Sequence, residues 1–189
     1  MIISMYRIAV TNRHLCQEDF LTRIHRLAED PYYDAILLRE KDMTEAEYRI
    51  LAKEVVSICQ KNGKKCILHS FYRVATDLGH PFLHLPLPLL RTLTERERGS
   101  FIEIGTSVHS LTQAEEALEL GASYVTAGHI FSTDCKPDLP PRGLSFLREI
   151  CSRISVPVYG IGGISRENEK SVTDQGAKGV CIMSGAMQK

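Results

Sequence analysis

The chain has 189 residues, 43% of them apolar and 24% charged, which suits one buried core and is too apolar for a disordered chain. Its 23 Lys and Arg are matched by 23 Asp and Glu, so the electrostatic footprint of a nucleic-acid binder is missing. No apolar run reaches bilayer length, and residues 1–13 lack the charged start, apolar centre and small-residue cleavage site of a secretory signal, so a cytoplasmic protein with neither membrane nor nucleic-acid partners is expected.

Strand-like and helix-like runs alternate along the chain. Tyr6–Val10 reads as a first strand, and residues 18–29 place Phe20, Leu21, Ile24, Leu27 and Ala28 at helical spacing. Ala35–Leu38 is a buried strand. Thr44 is the expected N-cap of the next helix, with Glu47 three residues on to complete a capping box; that helix runs to Lys61 and stops at Asn62 and Gly63. Residues 66–68, 82–85 and 102–107 are the third to fifth strands. A helix over 110–120 ends at Gly121, and residues 123–127 form the sixth strand. Gly143–Arg153 is helical, 156–160 is the seventh strand, 165–175 is a helix stopped by Gly176, and 180–183 is the eighth strand.

Eight strands with intervening helices predict a single α/β domain over residues 1–189, a (β/α)8 TIM barrel, although the spacing alone also admits an open doubly wound sheet. Few residues follow Met183, so the barrel is expected to lack its last outer helix. That would leave an apolar seam between the first and seventh helices for a partner subunit to cover, which is the basis for expecting a homo-oligomer.

Chemically able residues stand where the apolar strands stop, the place where a parallel barrel keeps its active site. Residues 160–165 (Gly-Ile-Gly-Gly-Ile-Ser) follow a strand and open a helix, and Met183, Ser184 and Gly185 end the strand expected beside it. These glycines either make tight turns or let the backbone approach an anion; two such turns after adjacent late strands favour a phosphate seat at Gly162, Gly163, Met183, Ser184 and Gly185. No Gly-Lys-Ser/Thr follows, which excludes a Walker loop.

His129, after Ala127 and Gly128, either hydrogen-bonds the adjoining loop or acts as acid and base at the mouth. His109 is equally readable as a helix-start residue, His69 ends the third strand facing the pocket, and His84 points into the barrel. His14, His25 and His80 read as surface or loop residues. By strand alternation Arg39 and Lys41 share one face and Glu40 takes the other; the two cations either meet an anionic substrate or join a rim network with Glu40 and Asp42. Lys136 is a third cation on a mouth loop.

The six cysteines (Cys16, Cys59, Cys66, Cys135, Cys151 and Cys181) include no Cys-x-x-Cys pair and read as free thiols, with only Cys135 placed in a polar loop for reactivity. No metal-ligand spacing such as His-Glu-x-x-His occurs, so neither a metal nor a cofactor is expected.

Residues 38–41 (Leu-Arg-Glu-Lys), 105–110 (Gly-Thr-Ser-Val-His-Ser), 128–136 (Gly-His-Ile-Phe-Ser-Thr-Asp-Cys-Lys), 160–165 and 180–185 together resemble the thiamine phosphate synthase superfamily, most tightly from 104 to 185. The resemblance implies a (β/α)8 barrel that binds a thiazole phosphate. In the synthase branch, which joins a pyrimidine pyrophosphate to that thiazole phosphate with magnesium, an Asn-Asp pair follows the third strand and an Asp follows the fourth. Here His69, Ser70, Phe71 and Tyr72 follow the third, and the fourth leads into Pro86, Leu87 and Pro88.

Residues 128–136 are similar instead to the TenI-like thiazole tautomerase branch, which has this loop histidine where the synthase has Gly-Pro. That likeness implies a cofactor-independent isomerase with His129 as the catalytic residue. Its substrate would be bound by Arg39, Lys41, His69, Ser107, Thr133 and Lys136, and its phosphate by Gly162, Gly163, Met183, Ser184 and Gly185. A thiamine phosphate synthase and a non-catalytic thiazole-phosphate-binding regulator are the alternatives.

Overall fold

Strands β1 (Tyr6–Val10), β2 (Ala35–Leu38), β3 (Lys65–His69), β4 (Phe82–Pro86), β5 (Glu103–Val108), β6 (Tyr124–Gly128), β7 (Val158–Ile161) and β8 (Gly179–Ile182) pair in chain order. All pairs are parallel, and β8 returns to β1 with Ile8 opposite Cys181. The ring is closed, a (β/α)8 barrel, so the open doubly wound sheet is excluded. The structure is a computed structural model describing residues 5–133 and 138–188. The expectations for Cys135 and Lys136 lie outside the described residues.

Period-two alternation divides the core in two. Ile8, Val10, Ala35, Leu37, Ile67, Tyr124, Tyr159 and Cys181 fill the barrel interior. Their neighbours Ala9, Ile36, Leu38, Leu68, Val125 and Val180 point outward and pack under the helices.

Helix α1 (Phe20–Glu29) is capped by Asp19, whose carboxylate accepts the amide of Thr22 at 2.9 Å. Helix α2 (Glu45–Lys61) starts at the expected capping box of Thr44 and Glu47. Helix α6 (Leu111–Glu119) is capped by Ser110, and α7 (Gly143–Arg153) precedes β7.

Three short helices escaped the sequence reading: α3 (Tyr72–Asp77), α4 (Leu87–Thr92) and α5 (Glu95–Arg98). None is long enough to show a repeating apolar face, though α5 carries a capping box of its own at Thr94 and Glu97. Helix α8 (Glu169–Thr173) begins four residues later than expected, because Asn168 is committed to the preceding turn. Its side chain accepts from the amide of Ser165 and donates to the carbonyl of Gly163, each at 2.9 Å.

The end of the barrel corrects an expectation. A one-turn helix, α9 (Ser184–Met187), follows β8. Ala186 and Met187 are fully buried, and the buried guanidinium of Arg23 on α1 donates through Nε to the carbonyl of Ala186 at 2.6 Å. Among the described residues the expected apolar seam is not there either. Between the end of α1 and α8, Arg7 and Tyr32 both hydrogen-bond the carboxylate of Glu169. The exposed large apolar side chains among the described residues are Ile50, Ile102 and Leu139, none of them on α1 or α8.

Tyr48 ties α2 to the strands beneath it. Its fully buried hydroxyl donates to the carbonyl of Leu38 at 2.7 Å and accepts the amide of His69 at 2.9 Å. Tyr48→Phe leaves both main-chain groups unpaired and is expected to cost about 1–3 kcal/mol, read as a lower midpoint in urea denaturation. An unchanged midpoint would contradict that role.

Candidate active site

A cavity of about 690 Å³ opens at the carboxyl ends of the strands. Its floor follows from the alternation. Val10, His69, Pro86, Ser107, Gly128 and Ile161 are the last inward-facing residues of their strands, and Arg39 and Met183 continue the pattern just past β2 and β8. The wall adds His129, Thr133, Gly162, Gly163, Ser184 and Gly185, and Lys41. Every residue given a catalytic, substrate-binding or phosphate-binding role in the sequence, apart from Lys136 beyond the described residues, therefore meets in one cavity.

Glu40 and Asp42, the acidic residues on either side of Lys41, bond Arg13. Glu40 is buried and accepts the hydroxyl of Thr11 at 2.7 Å and the amide of Arg13 at 3.1 Å. Asp42 takes the Arg13 guanidinium at 2.5 Å, which holds its carboxyl well below the usual carboxylate range, helped by His14. The rim network seen as an alternative partner for the two cations is thus built around Arg13.

His129 is 7% exposed and preceded by a cis peptide at Gly128. Its Nε2 lies 3.2 Å from the carbonyl of Leu139. A carbonyl only accepts, so Nε2 carries a proton and Nδ1 is the basic atom of the neutral ring. The amides of Arg142 and Gly143 bond the carbonyls of His129 and Ile130 at 3.0 and 3.1 Å, pinning the far end of the loop.

Gly162 is required where His129 packs: it has a φ of +100°, and a Cβ there would lie 2.2 Å from that of His129. In α9 the first amides to find a carbonyl are those of Ala186 and Met187, both on Met183. The amides of Ser184 and Gly185 thus stand ahead of the helix ladder, at the cavity wall.

His69 stacks on His84, with ring centroids 5.6 Å apart, and its Nδ1 is 2.7 Å from the hydroxyl of Ser70. Burial pushes its pKa well below the usual value, and His84, Arg39 and Lys41 push the same way. His84 is 1% exposed and its pKa is pushed down to about 3, by burial and then by Arg39. Both rings are neutral near pH 7. Nε2 of His84 lies 2.9 Å from Oγ of Ser107, Nδ1 lies 3.1 Å from the hydroxyl of Tyr124, and Thr126 hydrogen-bonds Ser107 at 3.1 Å.

Other residues of the cavity were left open or missed. His109, on the wall, donates through Nδ1 to the carbonyl of Gly128 at 2.6 Å. Gln113 accepts the amide of His109 at 2.7 Å. Arg91 arrives on α4, a helix with no readable periodicity, and is clamped by Glu116 at 2.5 and 2.8 Å. His109 and His129 also border a second cavity of about 440 Å³ lined by Leu139, Pro140, Pro141 and Arg142. His80, read as a surface or loop residue, lies in a loop but is buried, with its ring on the carbonyl of Cys66 at 2.9 Å. The five cysteines within the described residues are free thiols.

Fold and site define a (β/α)8-barrel protein with a cavity at the carboxyl end of its strands into which cationic, imidazole and hydroxyl side chains project. Residues 7–186 match the family model described as thiamine monophosphate synthase, and the chain belongs to that family. Similar proteins include a thiamine-phosphate synthase of Syntrophomonas wolfei, 32% identical over 99% of this chain and 91% of the relative. Another, from a Roseiflexus species, is 33% identical over 94% and 76%. Among solved structures, a thiamine phosphate pyrophosphorylase from Pyrococcus furiosus superposes with a TM-score of 0.83 at 25% identity, covering 98% of this chain and 88% of the other. No helix among the described residues is long and apolar enough to cross a membrane.

Gly162→Ala should force a strained φ and push His129 off the wall. The expected loss is about 1–3 kcal/mol of stability, together with a displaced His129 ring resonance in NMR spectra; an unmoved resonance would contradict the packing.

Proposed function

We propose that this chain is a cofactor-independent isomerase of thiamin biosynthesis, converting a carboxylated thiazole phosphate tautomer to its aromatic form. The observation that carries the reading is His129 fixed through Nε2 on the Leu139 carbonyl, in the same cavity as Arg39, Lys41 and the two late glycine turns. Family membership supports a role in thiamin biosynthesis.

The chemistry asks little beyond position and one proton relay. Nδ1 of neutral His129 takes the proton from ring carbon 2, and the resulting imidazolium returns a proton to the exocyclic carbon, regenerating the neutral ring. Nε2 keeps its bond to Leu139 in both states. Aromatisation drives the step. The amides near Gly162, Gly163, Ser184 and Gly185 hold the phosphate and so orient the ring, while Arg39 and Lys41 face the carboxylate.

The names of the relatives favour a second reading, the magnesium-dependent synthase. Magnesium seeks carboxylate and phosphate oxygens. The ends of β3 and β4 supply His69, Ser70, Pro86 and Leu87 instead, and no three His, Cys, Asp or Glu among the described residues are placed to hold a metal ion. That donor set does not fit the ion.

His129→Asn is expected to lower kcat by about 100-fold or more with little change in KM, followed by the absorbance of the aromatic product. Activity near wild type would remove His129 from its role, and magnesium-dependent coupling of pyrimidine pyrophosphate to thiazole phosphate would select the synthase. Binding of the aromatic product without turnover of its tautomer would select a regulator. Ser184→Asp places a carboxylate in the first turn of α9, where it does not harm the helix. Calorimetry should show at least about tenfold weaker binding of the phosphorylated ligand at an unchanged Tm; unchanged affinity would move the phosphate elsewhere.

A further inference from the structure

The geometry points to His84 as a positioning residue that makes Ser107 an obligate hydrogen-bond donor to the ligand. The inference begins with two buried hydroxyls. Tyr124 is 3% exposed, and its hydroxyl has one partner among the described residues, Nδ1 of His84 at 3.1 Å. Thr126 is 1% exposed, and its hydroxyl has one partner, Oγ of Ser107 at 3.1 Å. A buried hydroxyl proton without an acceptor is costly, so each hydroxyl donates to its one neighbour.

The rest follows by counting protons and lone pairs. With Nδ1 of His84 accepting from Tyr124, the neutral ring carries its proton on Nε2. That N–H donates to Oγ of Ser107 across 2.9 Å. Oγ then accepts from His84 and from Thr126, which occupies both lone pairs. Its own proton has no acceptor left among the described residues and is directed into the cavity that Ser107 lines. The ligand atom over Ser107 must be an acceptor, such as a carboxylate oxygen; a donor there would meet a proton.

The arrangement is built in. Tyr124, Thr126, His84 and Ser107 all lie on the inward face of β6, β4 and β5, with Gly105 opposite Tyr124 and Ser107 opposite Thr126. Any side chain at Gly105 would collide with the Tyr124 ring, since a Cβ there would lie 1.9 Å from Cζ. The missing side chain is what lets the phenol reach His84. His69 stacks over the same imidazole from β3.

The inference rests on the thiazole phosphate reading only for its choice of ligand, so the test has two arms. In the first, long-range ¹H–¹⁵N correlation spectra of the unliganded protein, labelled at histidine, report which ring nitrogen of His84 bears the proton; His84→Gln assigns the signal by its loss. Protonated Nε2 is expected, and protonated Nδ1 would overturn the inference.

In the second arm, calorimetry measures binding of the aromatic carboxythiazole phosphate. Ser107→Ala should weaken binding about tenfold. His84→Leu should weaken it at least about threefold and add nothing in the Ser107→Ala background. His84→Gln, which keeps a donor toward Ser107 and an acceptor toward Tyr124, should restore most of the affinity. Additive losses, or no rescue by Gln, would overturn the positioning role. A wild-type protein that fails to bind this ligand would overturn the assignment of the ligand while the tautomer stands or falls on the first arm.

Discussion

A strand can show only alternate side chains to the axis of a closed barrel. In a ring of eight parallel strands this constraint decides nearly everything about the cavity. Each strand ends with one inward residue at the same rim, so Val10, His69, Pro86, Ser107, Gly128 and Ile161 form a floor without any loop needing to fold over it. The pattern carries past the strand ends: Arg39 and Lys41 face the cavity while Glu40 between them turns to Thr11 and Arg13. One layer down, the same rule stacks Tyr124 beneath His84 and His84 beside Ser107.

Much of this was legible in the sequence because it depends on period and punctuation. The apolar runs located all eight strands, and Thr44 with Glu47 marked the start of α2. The polar residues after each strand gathered into one cavity because parallel topology sends all carboxyl ends to one side. What escaped is equally physical. Helices α3, α4 and α5 are one to two turns long and show no repeating face, so Arg91 on α4 gave no sign of reaching the cavity. Helix α9 was missed because its four residues resemble a glycine turn, yet Ala186 and Met187 are buried as fully as the barrel core. The partner of His129 is a main-chain carbonyl, which every residue possesses and no residue type announces.

Family membership and local chemistry pull in different directions. The chain shares about a third of its residues with proteins named thiamine-phosphate synthases, yet the mouth beyond β3 and β4 carries imidazole, hydroxyl and proline. Burial keeps His69 and His84 uncharged near neutral pH, so that side of the cavity offers dipoles where hard anionic oxygens would attract a divalent cation. Positive charge enters from Arg39 and Lys41, with Glu40 and Asp42 drawn toward Arg13. On the proposed reading, an organic anion would be held there by cations, amides and neutral donors.

The bond from His129 to Leu139 has a consequence for how such a site tolerates change. The leucine side chain is 56% exposed and contributes nothing to the contact. Almost any amino acid at that position would supply the same oxygen. What fixes the oxygen is the main chain just beyond it, where the amides of Arg142 and Gly143 bond the carbonyls of His129 and Ile130. A change of side chain at position 139 is therefore cheap: the tautomer of the imidazole is held by an oxygen that belongs to the backbone and not to the leucine side chain.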